Sequence, residues 1–150
     1  MPTKVVRTAD DIDKLHGLLM RMEVPLTVSY AKGDGRSKAQ NALAFRWYQD
    51  IAGQLGDRTH EDVRAHCKLH HGIPIMRRDD EVYRTEYDRV FKPMAYEAKL
   101  HAIRVFDLPV TRNMRVKQMV EFMDAVSREF SAIGVTLTDP EVFERQRGFG

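Results

Sequence analysis

The sequence predicts an α+β fold, with an N-terminal strand-helix-strand followed by a mainly helical remainder in a single domain. Three observations carry that expectation. Two short apolar or alternating runs, Lys4-Val5-Val6 and Leu26-Thr27-Val28-Ser29-Tyr30, flank a helical pattern near the N-terminus. Beyond Ser37, apolar residues recur at helical spacing almost to the end of the chain. No internal repeat, low-complexity tract or Pro/Gly-rich linker divides the 150 residues, a length that buries a core as one domain.

Each element follows from local chemistry. Thr8 offers an N-cap, with Asp10, Asp11 and Asp13 in the first turn to complement the helix dipole. Ile12, Leu15, Leu18, Leu19 and Met22 then recur at helical spacing, and Pro25 closes the region. Leu26 to Tyr30 has the alternation and residue types of a strand, and Lys32-Gly33-Asp34-Gly35-Arg36 reads as a flexible turn. Ser37 caps a helix to about Leu55, stopped by Gly56. Its apolar residues, Trp47 and Phe45 among them, fill an arc of roughly 200° at about 100° per residue. So wide an arc calls for burial on two sides, by the core and by a second subunit. Gln40 and Asn41 fall within it and need hydrogen-bond partners from backbone or a neighbouring loop.

Thr59 caps a further helix through Val63, Cys67 and Leu69, ending near Gly72 and Pro74. Met76 to Tyr83 is polar and reads as a loop, with Asp79, Asp80 and Glu81 at its tip beside Arg77 and Arg78. From Glu86 to Arg104 the pattern is helical but interrupted at Pro93. Asp107-Leu108-Pro109 is a turn. The last long helix runs from about Met114 to Ile133, with Met119, Phe122, Met123, Val126, Phe130 and Ile133 on one side and Gly134 as its stop. Residues Val135 to Pro140 leave in extended form. Phe143, Arg145, Arg147 and Phe149 make either a mobile basic-aromatic tail or a frayed end.

Composition sets limits on function. With 43% apolar and 31% charged residues, the chain has the balance of a globular protein. No run approaches the roughly 20 apolar residues of a membrane span, and no apolar signal region follows Met1. The lone Cys67 forms no internal disulfide and suits a reducing compartment. A cytoplasmic protein without membrane attachment is expected.

The formal net charge is only +2, so distribution matters more than total. Lys32, Arg36, Lys38 and Arg46 face a single acid, Asp34, within one stretch. Arg112, Arg115 and Lys117 form a second basic stretch between Asp107 and Glu121. Such patches suit modest, salt-sensitive phosphate binding, or are ordinary solvated surface. With Tyr30, the first stretch has the parts of a single-strand surface: cations for phosphates and aromatic faces for bases. Trp47 sits too centrally in the apolar arc to serve as a stacking platform, and Phe45 at the arc's edge is also expected to be buried.

The densest polar group is His60, His66, Cys67, His70 and His71. His66 and His70 stand one helical turn apart, as do Cys67 and His71, a spacing open to two metal ligands. No CxxC, HExxH or second cysteine accompanies them, and histidines near a helix C-terminus also complement the dipole. His66, His70 and His71 are therefore only weak metal candidates, and no metal or cofactor is expected. Asp79, Asp80 and Glu81 suit Mg²⁺ in principle, although an exposed charged loop explains them. No GxSxG, P-loop or Rossmann glycine pattern occurs, and no convincing catalytic set emerges.

Two segments resemble the NinB (Orf) recombination family of lambda-like phages. Arg36-Ser37-Lys38-Ala39-Gln40-Asn41, followed by Phe45, resembles that family's Arg-Ser-x-x-Gln-Asn motif with an aromatic residue, usually Trp, four positions after the Asn. Thr111-Arg112-Asn113-Met114-Arg115-Val116, with Gly134-Val135 and Asp139-Pro140, resembles its threonine-led helix start and closing Gly-Val. Residues 60 to 110 match loosely. The resemblance implies a homodimer that binds single-stranded DNA and works with single-strand-binding protein to load a recombinase or annealing protein, with no chemical step. On that basis Arg36 and Lys38 contact phosphates, Gln40 and Asn41 anchor the turn, and Arg112, Arg115 and Lys117 form a second contact. Two other functions fit the residues. One is a small metal-dependent nuclease built on His66, His70, His71 and the Asp79-Asp80-Glu81 acids. The other is a protein-binding phage adaptor without DNA affinity.

Overall fold

A computed structural model describes residues 4–30 and 36–148, and the side chains of residues 36–38 lie outside that description. Among the described residues eight α-helices appear in order: α1 (Ala9–Met20), α2 (Arg36–Leu55), α3 (His60–Cys67), α4 (Ile73–Asp79), α5 (Glu81–Val90), α6 (Tyr96–Phe106), α7 (Val116–Ser131) and α8 (Pro140–Arg147). A π-helical turn, Lys68–Gly72, joins α3 to α4, and a 3₁₀ turn, Thr111–Asn113, precedes α7. Among the described residues there is no strand, so the fold is all-helical and the α+β expectation is corrected.

The physical reason lies in pairing. A strand is held by a neighbour's hydrogen bonds, and Leu26 to Tyr30 has none among the described residues, with every residue of the run exposed. Lys4 to Val6 is held by a helix end instead. Val5 N–H donates to the Arg147 carbonyl at 3.0 Å, and Lys4 Nζ reaches the carbonyls of Gln146 and Gly148 at 2.9 and 3.2 Å.

Two helix starts fall at the caps the sequence offers, whereas Ser37 lies inside α2, which begins at Arg36. Thr8 and Thr59 each form a complete capping box, with Asp11 and Asp62 returning the bond. Gly56 and Gly134 take φ of +77° and +90° and end α2 and α7. Val90 closes α5 just before Pro93, and Tyr96 opens α6. The supposed loop at Met76 to Tyr83 is mostly helix, because Ile73, Ile75 and Met76 bury their side chains and Asp80 caps α5 by accepting from Tyr83 N–H at 3.0 Å. Bidentate Arg77–Asp88 bonds of 2.7 and 3.0 Å fasten α4 against α5. The tail is helical as far as Arg147, and Phe149 lies outside the described residues. Asp139 caps α8, and Arg147 is buried with its guanidinium over the Phe143 ring.

The core is built on α7. Met119, Phe122, Met123, Val126 and Phe130 meet Ile51 of α2, Val63 and Cys67 of α3, and Ile103 of α6, all buried. Ile133, expected on the same side, is exposed. The apolar arc of α2 is covered within the chain, by α3 on one side and by α7 and α8 on the other. Phe45, at the edge of that arc, stays 45% exposed. Trp47 is buried as expected and donates its indole N–H to the Thr138 carbonyl at 2.8 Å. No helix among the described residues is long and apolar enough to cross a membrane.

Candidate functional site

Two helix faces meet to form a groove. From α2 it takes Asn41, Phe45 and Tyr48; from α3 and the π turn, Arg64 and Lys68; from the following turns, Asp107 and Arg112. Asn41, Phe45 and Tyr48 share one face of α2 at i, i+4 and i+7, and Arg64 and Lys68 stand one turn apart on the facing helix. The groove encloses about 170 Å³, less than the roughly 300 Å³ at which clefts for drug-sized ligands begin. It suits one flat ring or one phosphate.

Phe45 is the departure from expectation. It is 45% exposed, with its ring edge-on to His60 at 5.4 Å between centroids, and it overhangs the groove instead of filling the core. Three cations surround it against one carboxylate. Lys68 is nearly enclosed, its Nζ 2.9 Å from Asp107 Oδ1. Burial lowers its pKa and the Asp107 carboxylate opposes that shift, with burial prevailing. Asp107 is held below the usual carboxylate value, chiefly by the hydrogen bond from Lys68. Arg64 reaches the same carboxylate at 3.5 Å, and its buried Nε has no hydrogen-bond partner among the described residues. Arg112 Nη2 donates to the Asp107 carbonyl at 3.3 Å and is otherwise exposed.

The DNA-contact residues expected from sequence divide three ways. Arg112 lines the groove. Arg46 is exposed on α2 and paired with Asp50 at 3.3 Å, while Arg115 and Lys117 are exposed at the start of α7. Lys32 lies outside the described residues, and Arg36 and Lys38 are placed only by backbone, at the start of α2. Sequence reasoning missed Arg64 and Lys68, although they follow His60 at i+4 and i+8 and make a legible stripe along one helix face. Gln40 does not find the partner expected of it, since its Oε1 is buried and unpaired among the described residues.

The histidines gather elsewhere, and with a partner not foreseen. His66 Nε2 lies 2.8 Å from Glu129 Oε2, and His71 Nε2 lies 2.5 Å from Glu129 Oε1. Burial raises the Glu129 pKa, but the hydrogen bonds from His71 and His66 outweigh it and the net shift is downward. His70 lays its ring against that of His66, 4.4 Å between centroids, and turns its Nε2 to the Tyr96 hydroxyl at 2.8 Å, with its pKa lowered first by burial and then by His66. Cys67 is fully buried, and burial pushes its thiol up, away from the reactive thiolate. Asp79 and Asp80 do not join this group. Asp79 accepts from Arg78 at 2.7 Å and from Gln118 at 3.1 Å, and Asp80 is spent on its cap. Nothing foreshadowed Glu129 beyond its place on α7.

No protein-family model, curated protein or solved structure matches this chain.

Proposed function

We propose that the chain binds single-stranded DNA without a chemical step of its own, as a recombination accessory acting beside single-strand-binding protein and a recombinase or annealing protein. The observation that carries this is the half-exposed Phe45 set over a groove with Arg64, Lys68 and Arg112. An aromatic face offers stacking to any base, and neighbouring cations follow the phosphates. A concave site for one ring also favours an unpaired base over a duplex, whose bases are already stacked. Asn41 and Phe45, both from the segment that resembles the NinB family, line the groove, and Arg112 from the second resembling segment joins them. The accessory role and its protein partners rest on that resemblance.

A homodimer belongs to the same proposal. α1 buries none of its residues, and Ile12, Met20, Val24 and Val28 are exposed, with Tyr30 at 96%. A 12-residue helix is marginal without packing. A second copy covering this face gives it that packing.

The test is fluorescence anisotropy of a labelled single strand of about 30 nucleotides, a length that exceeds the site size of one small binding fold. It is titrated at low and moderate salt with EDTA present. Binding that weakens with salt and is poorer for duplex is expected. Phe45→Ala should cost about 1–3 kcal/mol of binding free energy, the worth of one stacked base. Arg112→Ala should weaken binding for all sequences and reduce the salt slope by about one. Absence of binding at low salt would replace this reading with the protein-binding adaptor.

A further inference from the structure

The π turn changes which side chains share a face. At about 100° per residue, positions five apart on an α-helix point about 140° apart. Ile73 N–H donates to the Lys68 carbonyl, five residues back, and this wider turn lies between α3 and the rest of the helix. His66 and His71, five apart, consequently reach the same carboxylate on α7. Two further contacts hold the arrangement. The Phe130 ring stands edge-on to His66 at 5.8 Å, and Gly72, with no side chain, lets Phe122 of α7 approach the turn.

We infer that His66, His71 and Glu129 form a binding site for one divalent transition-metal ion of the zinc class. One ligand atom from each of the three lies within 4.8 Å of the others. Around zinc, bonds of roughly 2.0–2.2 Å put tetrahedral ligand atoms roughly 3.3 Å apart. The carboxylate–imidazole contacts of 2.5 and 2.8 Å open to that spacing by small side-chain rotations. Two imidazoles with one carboxylate select zinc, cobalt or ferrous iron over magnesium or calcium, which take oxygen ligands. The three side chains keep between a fifth and about a third of their surface exposed, so water completes the coordination. The ion joins the helix of residues 60–79 to α7 across the centre of the fold. This site is separate from the Phe45 groove, and neither depends on the other.

The experiment uses the full chain stripped with EDTA and exchanged into chelator-free buffer. Zn²⁺ is titrated by calorimetry and Co²⁺ by its visible d–d absorption. One ion per chain is expected, with melting raised by roughly 5–10 °C at about a hundredfold excess over Kd. His71→Ala and Glu129→Ala should each weaken binding by more than about 100-fold, beyond what losing an outer-shell partner costs. His70→Phe, which keeps a ring against His66 and removes only the imidazole nitrogens, should bind as the unaltered protein does. Absence of both heat and cobalt spectrum overturns the site, as does binding that survives in the His71 and Glu129 variants or is lost with His70. Should those variants fail to fold, diethyl pyrocarbonate labelling of the unaltered chain decides. Zn²⁺ that shields His66 and His71 supports the site, and unchanged labelling at both removes it.

Discussion

Asp107 ends α6 in the left-handed region at φ 49°, a conformation that Asp and Asn tolerate better than other side chains. From there its carboxylate takes the enclosed Lys68 ammonium and the Arg64 guanidinium. Asp107→Asn keeps the backbone preference and removes only the charge. It should destabilise the fold by about 1–2 kcal/mol, less than loss of a fully buried partner because Asp107 is half exposed. The pH dependence follows from the lowered pKa of Asp107. Its stabilisation is present above the usual value of 3.8 and is lost as pH falls through the folded value, so the variant should lose less stability than the unaltered chain below pH 3.8. Urea unfolding at neutral and acid pH checks both statements. The same substitution leaves the groove cations unopposed and should tighten single-strand binding at low salt. Weaker binding would argue against the groove as the DNA surface.

Gly72 and Pro74 read as a helix stop, yet the chain continues helically from His60 to Asp79. Pro lacks the N–H that an uninterrupted α-helix needs at that position, and the π turn absorbs the mismatch just before it. Burial of Ile73, Ile75 and Met76 outweighs the local break. Gly72 itself is required by packing. A Cβ there would stand 2.6 Å from Val110 Cγ1 and 3.5 Å from Phe122, and Val110 is fully buried with no room to swing away. Gly72→Ala should cost about 1–3 kcal/mol by overpacking, with partial recovery on adding Val110→Ala. Thermal melting of the two variants measures it, and a neutral Gly72→Ala would mean that Val110 packs less closely against the turn than described. Thr59→Ala should cost about 1 kcal/mol through loss of the α3 capping box.

The molecule as a whole divides unevenly between a packed body and an N-terminal segment. Helices α2 to α8 enclose the core, whereas residues 21–30 are exposed throughout and α1 contributes no buried residue. Self-association through this segment should appear in sedimentation equilibrium as a dimer. Ile12→Asp combined with Val28→Asp should shift it to monomer with little change in melting, because neither side chain supports the core. A monomeric unaltered chain at micromolar concentration would remove the dimer from the proposed function.

Local chemistry alone determined the helix caps at Thr8 and Thr59, the glycine stops at Gly56 and Gly134, the burial of Trp47 and the apolar stripe of α7. These depend on residues within a turn or two of one another, so they are written in adjacent letters. Whether Leu26 to Tyr30 pairs into a sheet depends on a neighbour that alternation cannot supply, and the chain provides none among its described residues. The histidines stand out as a cluster in the sequence, but the groove and the carboxylate that His66 and His71 share do not. Arg64 meets Arg112 and Phe45, and Glu129 meets His66 and His71, only because α2, α3 and α7 pack around one core. Side chains up to 71 residues apart, Asn41 and Arg112, then share a site, a distance over which sequence periodicity carries no information.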